Sequence, residues 1–71
     1  MRVTGVESRM IYAVGYDAAK REMEVFFHSG GVYRYKEVDP WVYQELLEAE
    51  SKGRYMHENI LGKYEDYHVS G

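Results

Sequence analysis

The sequence predicts an α+β domain: a three-stranded antiparallel β-meander, then one longer and one shorter helix packed on one face of the sheet. Three observations carry this. Residues 10–38 contain three short segments rich in β-branched and aromatic residues, with period-2 alternation. Asp39 and Pro40 then punctuate the chain. From residue 40 the apolar positions switch to helical spacing. With 71 residues the chain is one small domain. A core of this size supplies only ~3–5 kcal/mol of net stability. The sequence holds no cysteine, so neither a disulfide nor a thiolate metal site adds to it.

The first strand is placed at residues 10–16, MIYAVGY, closed by a polar turn from Asp17 to Arg21. The second spans 22–28, EMEVFFH, with Met23, Val25 and Phe27 on one face and Glu22, Glu24, Phe26 and His28 on the other. Ser29, Gly30 and Gly31 form a tight connection to the third, residues 32–38, VYRYKEV. The length of that loop sets the faces. A three-residue loop pairs Phe27 with Tyr33, Phe26 with Arg34 and Val25 with Tyr35, which keeps the tyrosines with the apolar row. A two-residue loop turns Arg34 toward the core, where an unpaired charge costs several kcal/mol. The three-residue loop is therefore predicted, with Tyr33 and Tyr35 facing the helices and Phe26, His28, Arg34 and Lys36 facing outward.

Asp39 suits an N-cap, its carboxylate accepting free amide protons of the first turn, and Pro40 suits the first helical position. The helix is expected over 40–51, with Gly53 as its stop, and a shorter helical piece over 54–61, ended by Gly62. Residues 63–70 read equally as a further strand or as a packed extension. The predicted core is Met23, Val25, Phe27, Tyr33, Tyr35, Val42, Leu46 and Ile60, with Trp41 packing at the helix start.

Composition narrows the function classes. The net charge is −3, but residues 1–36 carry six cations against four acids and residues 37–71 three against eight. A modest basic face on the strand-rich half is compatible with this, and a strong electrostatic footprint for nucleic acid is not. The sequence shows no long apolar run and no leader-like pattern, so a soluble, cytoplasmic chain without membrane contact is expected. His28, His57 and His68 fall on different predicted elements, and no HExxH is present, so no metal site is expected. No phosphate-binding loop is present, and Ser8, Ser29 and Ser51 have no recognisable base. No catalytic residue and no cofactor are predicted.

The ordered motifs resemble a known family. Val14, Gly15, Tyr16 and Asp17 form a hydrophobic-Gly-Tyr-Asp step, and Tyr33 and Tyr35 a Tyr-x-Tyr. Val38 stands before Pro40 with Asp39 intervening, where the family has Val-Pro directly. Ala49, Ser51, Gly53 and Tyr55 follow at alternate positions, then Asn59 and Ile60. Over residues 6–67 the chain resembles the KTSC domain, found at the C-terminus of some lysyl-tRNA synthetases and alone in small bacterial proteins. Met56 and His57 depart from the family's more usual aromatic-Asn pair. The resemblance implies an accessory module, with RNA as one candidate partner, and does not carry over the synthetase activity.

Two readings therefore stand. In the first, the outward residues Phe26, His28, Arg34 and Lys36 bind single-stranded or structured RNA, with the cations on phosphates and Phe26 stacking a base. In the second, the same face or an edge strand binds a protein partner or a second copy of the chain. Tyr33 and Tyr35, although suited to stacking, read as core.

Overall fold

A computed structural model describes residues 1–70. The fold is α+β, an antiparallel sheet with helices, but the sheet has five strands rather than three, in the order β1-β2-β3-β4-β5. The strands are β1 (Arg2–Gly5), β2 (Ile11–Asp17), β3 (Glu22–Phe27), β4 (Val32–Tyr35) and β5 (Asp66–Ser70). All neighbours are antiparallel. The two strands beyond the predicted three are the edges. Every residue of β1 and β5 is exposed; DYHVS does alternate, but its apolar members Tyr67 and Val69 lie outside the core, so the pattern did not distinguish a strand from a packed extension. The open ending at residues 63–70 resolves as β5, which returns after the helices to pair with β4.

The β3–β4 loop has the predicted length and lies one residue earlier. His28, Ser29 and Gly30 form it. The Phe27 amide donates to the Gly31 carbonyl at 2.9 Å, and the Gly30 amide donates to the Phe27 carbonyl at 2.9 Å. Gly30 has φ 112°, a conformation that side chains strain to adopt, which fixes the turn at this glycine. Moving the loop by one residue slides the register by two. Val25 pairs with Tyr33, Met23 with Tyr35, Glu24 with Arg34 and Phe26 with Val32. The predicted Phe26–Arg34, Val25–Tyr35 and Phe27–Tyr33 pairs are thus replaced. A slide of two preserves parity, so the tyrosines still share a face with Met23 and Val25.

Strand β4 stops at Tyr35, short of the predicted residue 38. Glu37 takes φ 55° and turns the chain. Val38 then enters the core while its amide donates to the Arg21 carbonyl at 2.8 Å. Asp39 occupies the N-cap position of α1 (Pro40–Glu48), but its carboxylate makes no cap. It pairs instead with Arg21 Nη2 at 2.7 Å. Helix α1 buries Val42 and Leu46 and ends earlier than predicted, because Ala49 is extended. Ser51 is the N-cap of α2 (Lys52–Tyr55), its hydroxyl accepting from the Arg54 amide at 3.2 Å. Gly53, predicted as the stop of the first helix, therefore lies inside the second. A π-helical turn, Met56–Ile60, continues α2, and Gly62, at φ 77°, follows it.

Helical and sheet residues meet on the inner face of the sheet. Met23, Val25, Tyr35, Val42, Leu46 and Ile60 are buried as predicted, and Phe27 and Tyr33 are half-buried beside them. Ile11, Val14, Val38 and Met56 complete the core and were not predicted. Trp41 departs from its expected packing role: it is 59% exposed. Tyr16 ties the layers together, its hydroxyl donating to the Val38 carbonyl and its ring stacking on Tyr43 at 5.5 Å. Burial raises the Tyr16 phenol above its ordinary value.

Candidate functional site on the outer face of the sheet

The helices cover one face of the sheet and leave the other open. The outer face carries the residues of opposite parity to Val25 and Tyr35. At its centre, Arg34 stands opposite Glu24. Its Nε donates to Glu24 Oε1 at 2.8 Å, and its Nη1 donates to Glu22 Oε1 at 3.1 Å. Tyr67, directly across on β5, donates its hydroxyl to the same Glu22 oxygen at 2.8 Å. These groups shield one another although no helix lies above them. Glu24 is 7% exposed and the Arg34 side chain 19% exposed. Hydrogen bonds to Glu24 and then Glu22 hold the guanidinium in its charged form and raise its pKa. The Tyr67 hydroxyl and then Arg34 hold the Glu22 carboxyl below its ordinary value. Two carboxylates share one guanidinium, so the centre of this face is net negative.

Beside the ionic centre lies an aromatic cluster. Phe26 and His28 each pack on Tyr12, at 5.9 Å and 5.4 Å between ring centroids. A His28 ring nitrogen also hydrogen-bonds the Ser8 carbonyl at 2.9 Å. Sequence reasoning missed Tyr12 because it shares parity with the inward residues Val14 and Tyr16. A β-bulge in β2 between Ile11 and Ala13 brings it to the outer side. Toward β1, Met1 and Val3 add apolar surface. A methyl group on Gly15 would lie 3.2 Å from each of their side chains, which places both over the outer side of β2.

The four residues predicted from sequence divide accordingly. Phe26 and His28 are brought together, joined by Tyr12. Arg34 is adjacent but committed to two carboxylates. Lys36 lies over the Tyr67 ring, 5.4 Å from its centroid, at the β4–β5 end of the face. Tyr33 and Tyr35 face the core, as the alternation indicates. Among the described residues, no three or more His, Asp or Glu side chains converge as metal ligands. Among the described residues, no helix is long and apolar enough to cross a membrane.

The fold and this face define a small α+β domain: an antiparallel meander with a helical layer on one side and an open, partly apolar face on the other. The chain belongs to the KTSC domain family, whose model matches residues 7–64. It resembles the crystal structure of a KTSC domain protein from Yersinia pestis with a TM-score of 0.94 and 32% identity, covering 97% of both chains. An uncharacterised protein of Stutzerimonas stutzeri is 41% identical over 58 residues, 82% of each chain. A lysine–tRNA ligase of Trichormus variabilis is 38% identical over 58 residues, which are 82% of this chain and 10% of the ligase.

Proposed function

We propose that this chain is a non-catalytic interaction module that docks a protein partner on the outer face of its sheet. The carrying observation is the ion network. Phosphate binding needs cations free to replace counterions. Arg34, the most central cation of the face, is already shared between Glu24 and Glu22. Exposed apolar and aromatic side chains, Met1, Val3, Tyr12 and Tyr67, surround that centre. Such a mixture suits a protein surface that brings apolar contacts and one further cation to offset the excess carboxylate. The ligase relative fits an appended module, since the matching segment is one tenth of its length.

A second reading has its own support. Tyr12, Phe26 and His28 form an exposed aromatic cluster of the type that stacks bases, with Lys36 as a further cation on that face, and the ligase relative acts on tRNA by name. One pair of measurements separates the readings. The chain is titrated with a mixed single-stranded RNA pool while amide shifts are followed. In parallel it is used to capture partners with and without ribonuclease, beside the variant Val3→Asp/Tyr12→Asp. A protein retained after ribonuclease, lost with the variant and rebinding when purified supports the docking module. Saturable RNA shifts on β2 and β3 that weaken steeply with salt replace it with the RNA reading.

A further inference from the structure

On the opposite side of the sheet, where β4 and β5 run out past the helical layer, lies an open cleft of about 320 Å³. Phe27, Tyr33, Tyr35, Leu61, Ser29 and Asp66 line it. Two of its rings stand nearly perpendicular: Phe27 and Tyr33 meet edge to face at 5.8 Å and 80°. His68 packs against Tyr33 from β5 at 4.9 Å. Tyr35 is only 2% exposed, lines this cleft, and its hydroxyl has no hydrogen-bond partner among the described residues. Asp66, opposite Tyr35 on β5, makes no salt bridge and accepts no hydrogen bond there either. A tyrosine whose hydroxyl reaches only the open cleft and an exposed carboxylate without a counter-ion thus share one aromatic-walled space.

We propose that this cleft binds a primary alkylammonium group, with the methylene stem on Phe27, Tyr33 and Leu61 and the ammonium at Asp66, Tyr35 and Ser29. Four features select that chemistry. The carboxylate lacks a counter-ion. Aromatic faces attract cations, more strongly when the cation is desolvated. An ammonium has three donors to distribute among separate oxygens, and Ser29, Tyr33, Tyr35 and Asp66 bring four oxygen-bearing side chains to the cleft, whereas a guanidinium favours a flat, two-toothed carboxylate. The volume lies at the small end of ligand sites, about 300 Å³ and upward, and so suits one side chain or one small amine. The Tyr35 phenol responds to its setting in the same sense: burial, and then the Asp66 charge, push its pKa up to about 12, so it stays a neutral hydroxyl. A lysine side chain of another protein and a free diamine present the same group. The site is independent of the outer face, because the sheet separates the two.

The test is an amide and aromatic shift titration of the whole chain with n-butylammonium, beside n-butanol and butyrate as neutral and anionic counterparts. Saturable shifts at Phe27, Tyr33, Tyr35 and Leu61 with butylammonium, and much weaker ones with the counterparts, are expected. Asp66→Asn should weaken binding by roughly tenfold, since it removes the charge from a charge-assisted contact. Tyr35→Phe keeps the packing and should weaken it by a smaller factor, while Glu58→Gln, on the π-helical turn, should leave it unchanged. Repeating the titration with Nα-acetyl-lysine amide and with 1,4-diaminobutane distinguishes the sources; tighter binding of either supports the site. Absence of saturation with all amines, equal binding of butanol, or equal sensitivity to Glu58→Gln and Asp66→Asn overturns the proposal.

Discussion

The two faces of one sheet are built by different rules. The inner face is closed by helices and filled with fully buried aliphatic side chains such as Ile11, Val25, Leu46 and Ile60. The outer face has no layer above it, yet it buries Glu24 almost as completely, by clustering charge and phenol around Arg34. The inner face thus obtains stability from non-directional apolar burial, the outer face from directed contacts that leave apolar surface free around them. A sheet built this way is closed by apolar packing on one side and by a polar network on the other.

The sharpest way to break that division is to open a hole in the inner face. Leu46→Ala should cost ~2–5 kcal/mol, a large part of the stability of a domain this small. Urea denaturation followed by circular dichroism checks it, and a small change in midpoint would mean that α1 docks through another face. On the outer face, Arg34→Leu should cost less, ~1–3 kcal/mol, mainly by leaving Glu24 shielded from water without a partner. Adding Glu24→Leu to that variant should recover part of the loss, and a double-mutant cycle measures the coupling.

Acid probes the same network with a definite sign. The folded pKa of Glu22 lies below its reference value of 4.5, through its bonds to Tyr67 and Arg34. The stabilisation is therefore fully present above that reference value and is lost as the pH falls through the lowered folded value. Glu22→Gln should flatten the stability–pH curve in that window and leave its slope near neutrality unchanged. The smallest effect belongs to the periphery. The ion pair of Arg54 and Glu58 is well exposed on both sides, so Arg54→Ala should change stability by at most ~0.5 kcal/mol, with little left at high salt. Thermal melts at two salt concentrations test this.

The sequence made the faces legible and the partners illegible, for one physical reason. Alternation reports parity, and parity survived: Met23, Val25, Tyr33 and Tyr35 share the inner side, and Phe26 and Arg34 the outer. Register is set by turn chemistry, and a glycine at residue 30 and another at 31 offer two places for the left-handed step. Choosing the first slid the ladder by two, so that Arg34 meets Glu24 rather than Phe26. That slide turns an expected free cation into a neutralised one, and it changes the functional reading more than any helix boundary. Tyr12 was hidden by a bulge, which breaks the alternation that would have located it. The cleft was half visible: its aromatic wall lies on the predicted inner face, but Asp66 reaches it only through β5, an exposed strand that the sequence left open between a strand and a packed extension. The helix boundaries failed at Gly53, where a turn-forming residue sits inside a helix that Ser51 begins.

The order of the strands bears on how the domain responds to force. β1 and β5 lie at opposite edges, and each is held by a single antiparallel ladder. Four antiparallel steps leave β1 and β5 running in the same direction, so tension between the start of β1 and the end of β5 has a component along the strands and loads the two edge ladders in shear. The strands that open first expose few apolar side chains, so the core survives their loss longest. When the domain is tethered to a larger protein through either end, mechanical load reaches β1 or β5 before it reaches β3. The outer face can then lose its Tyr67 or its Val3 border while the inner face is still closed.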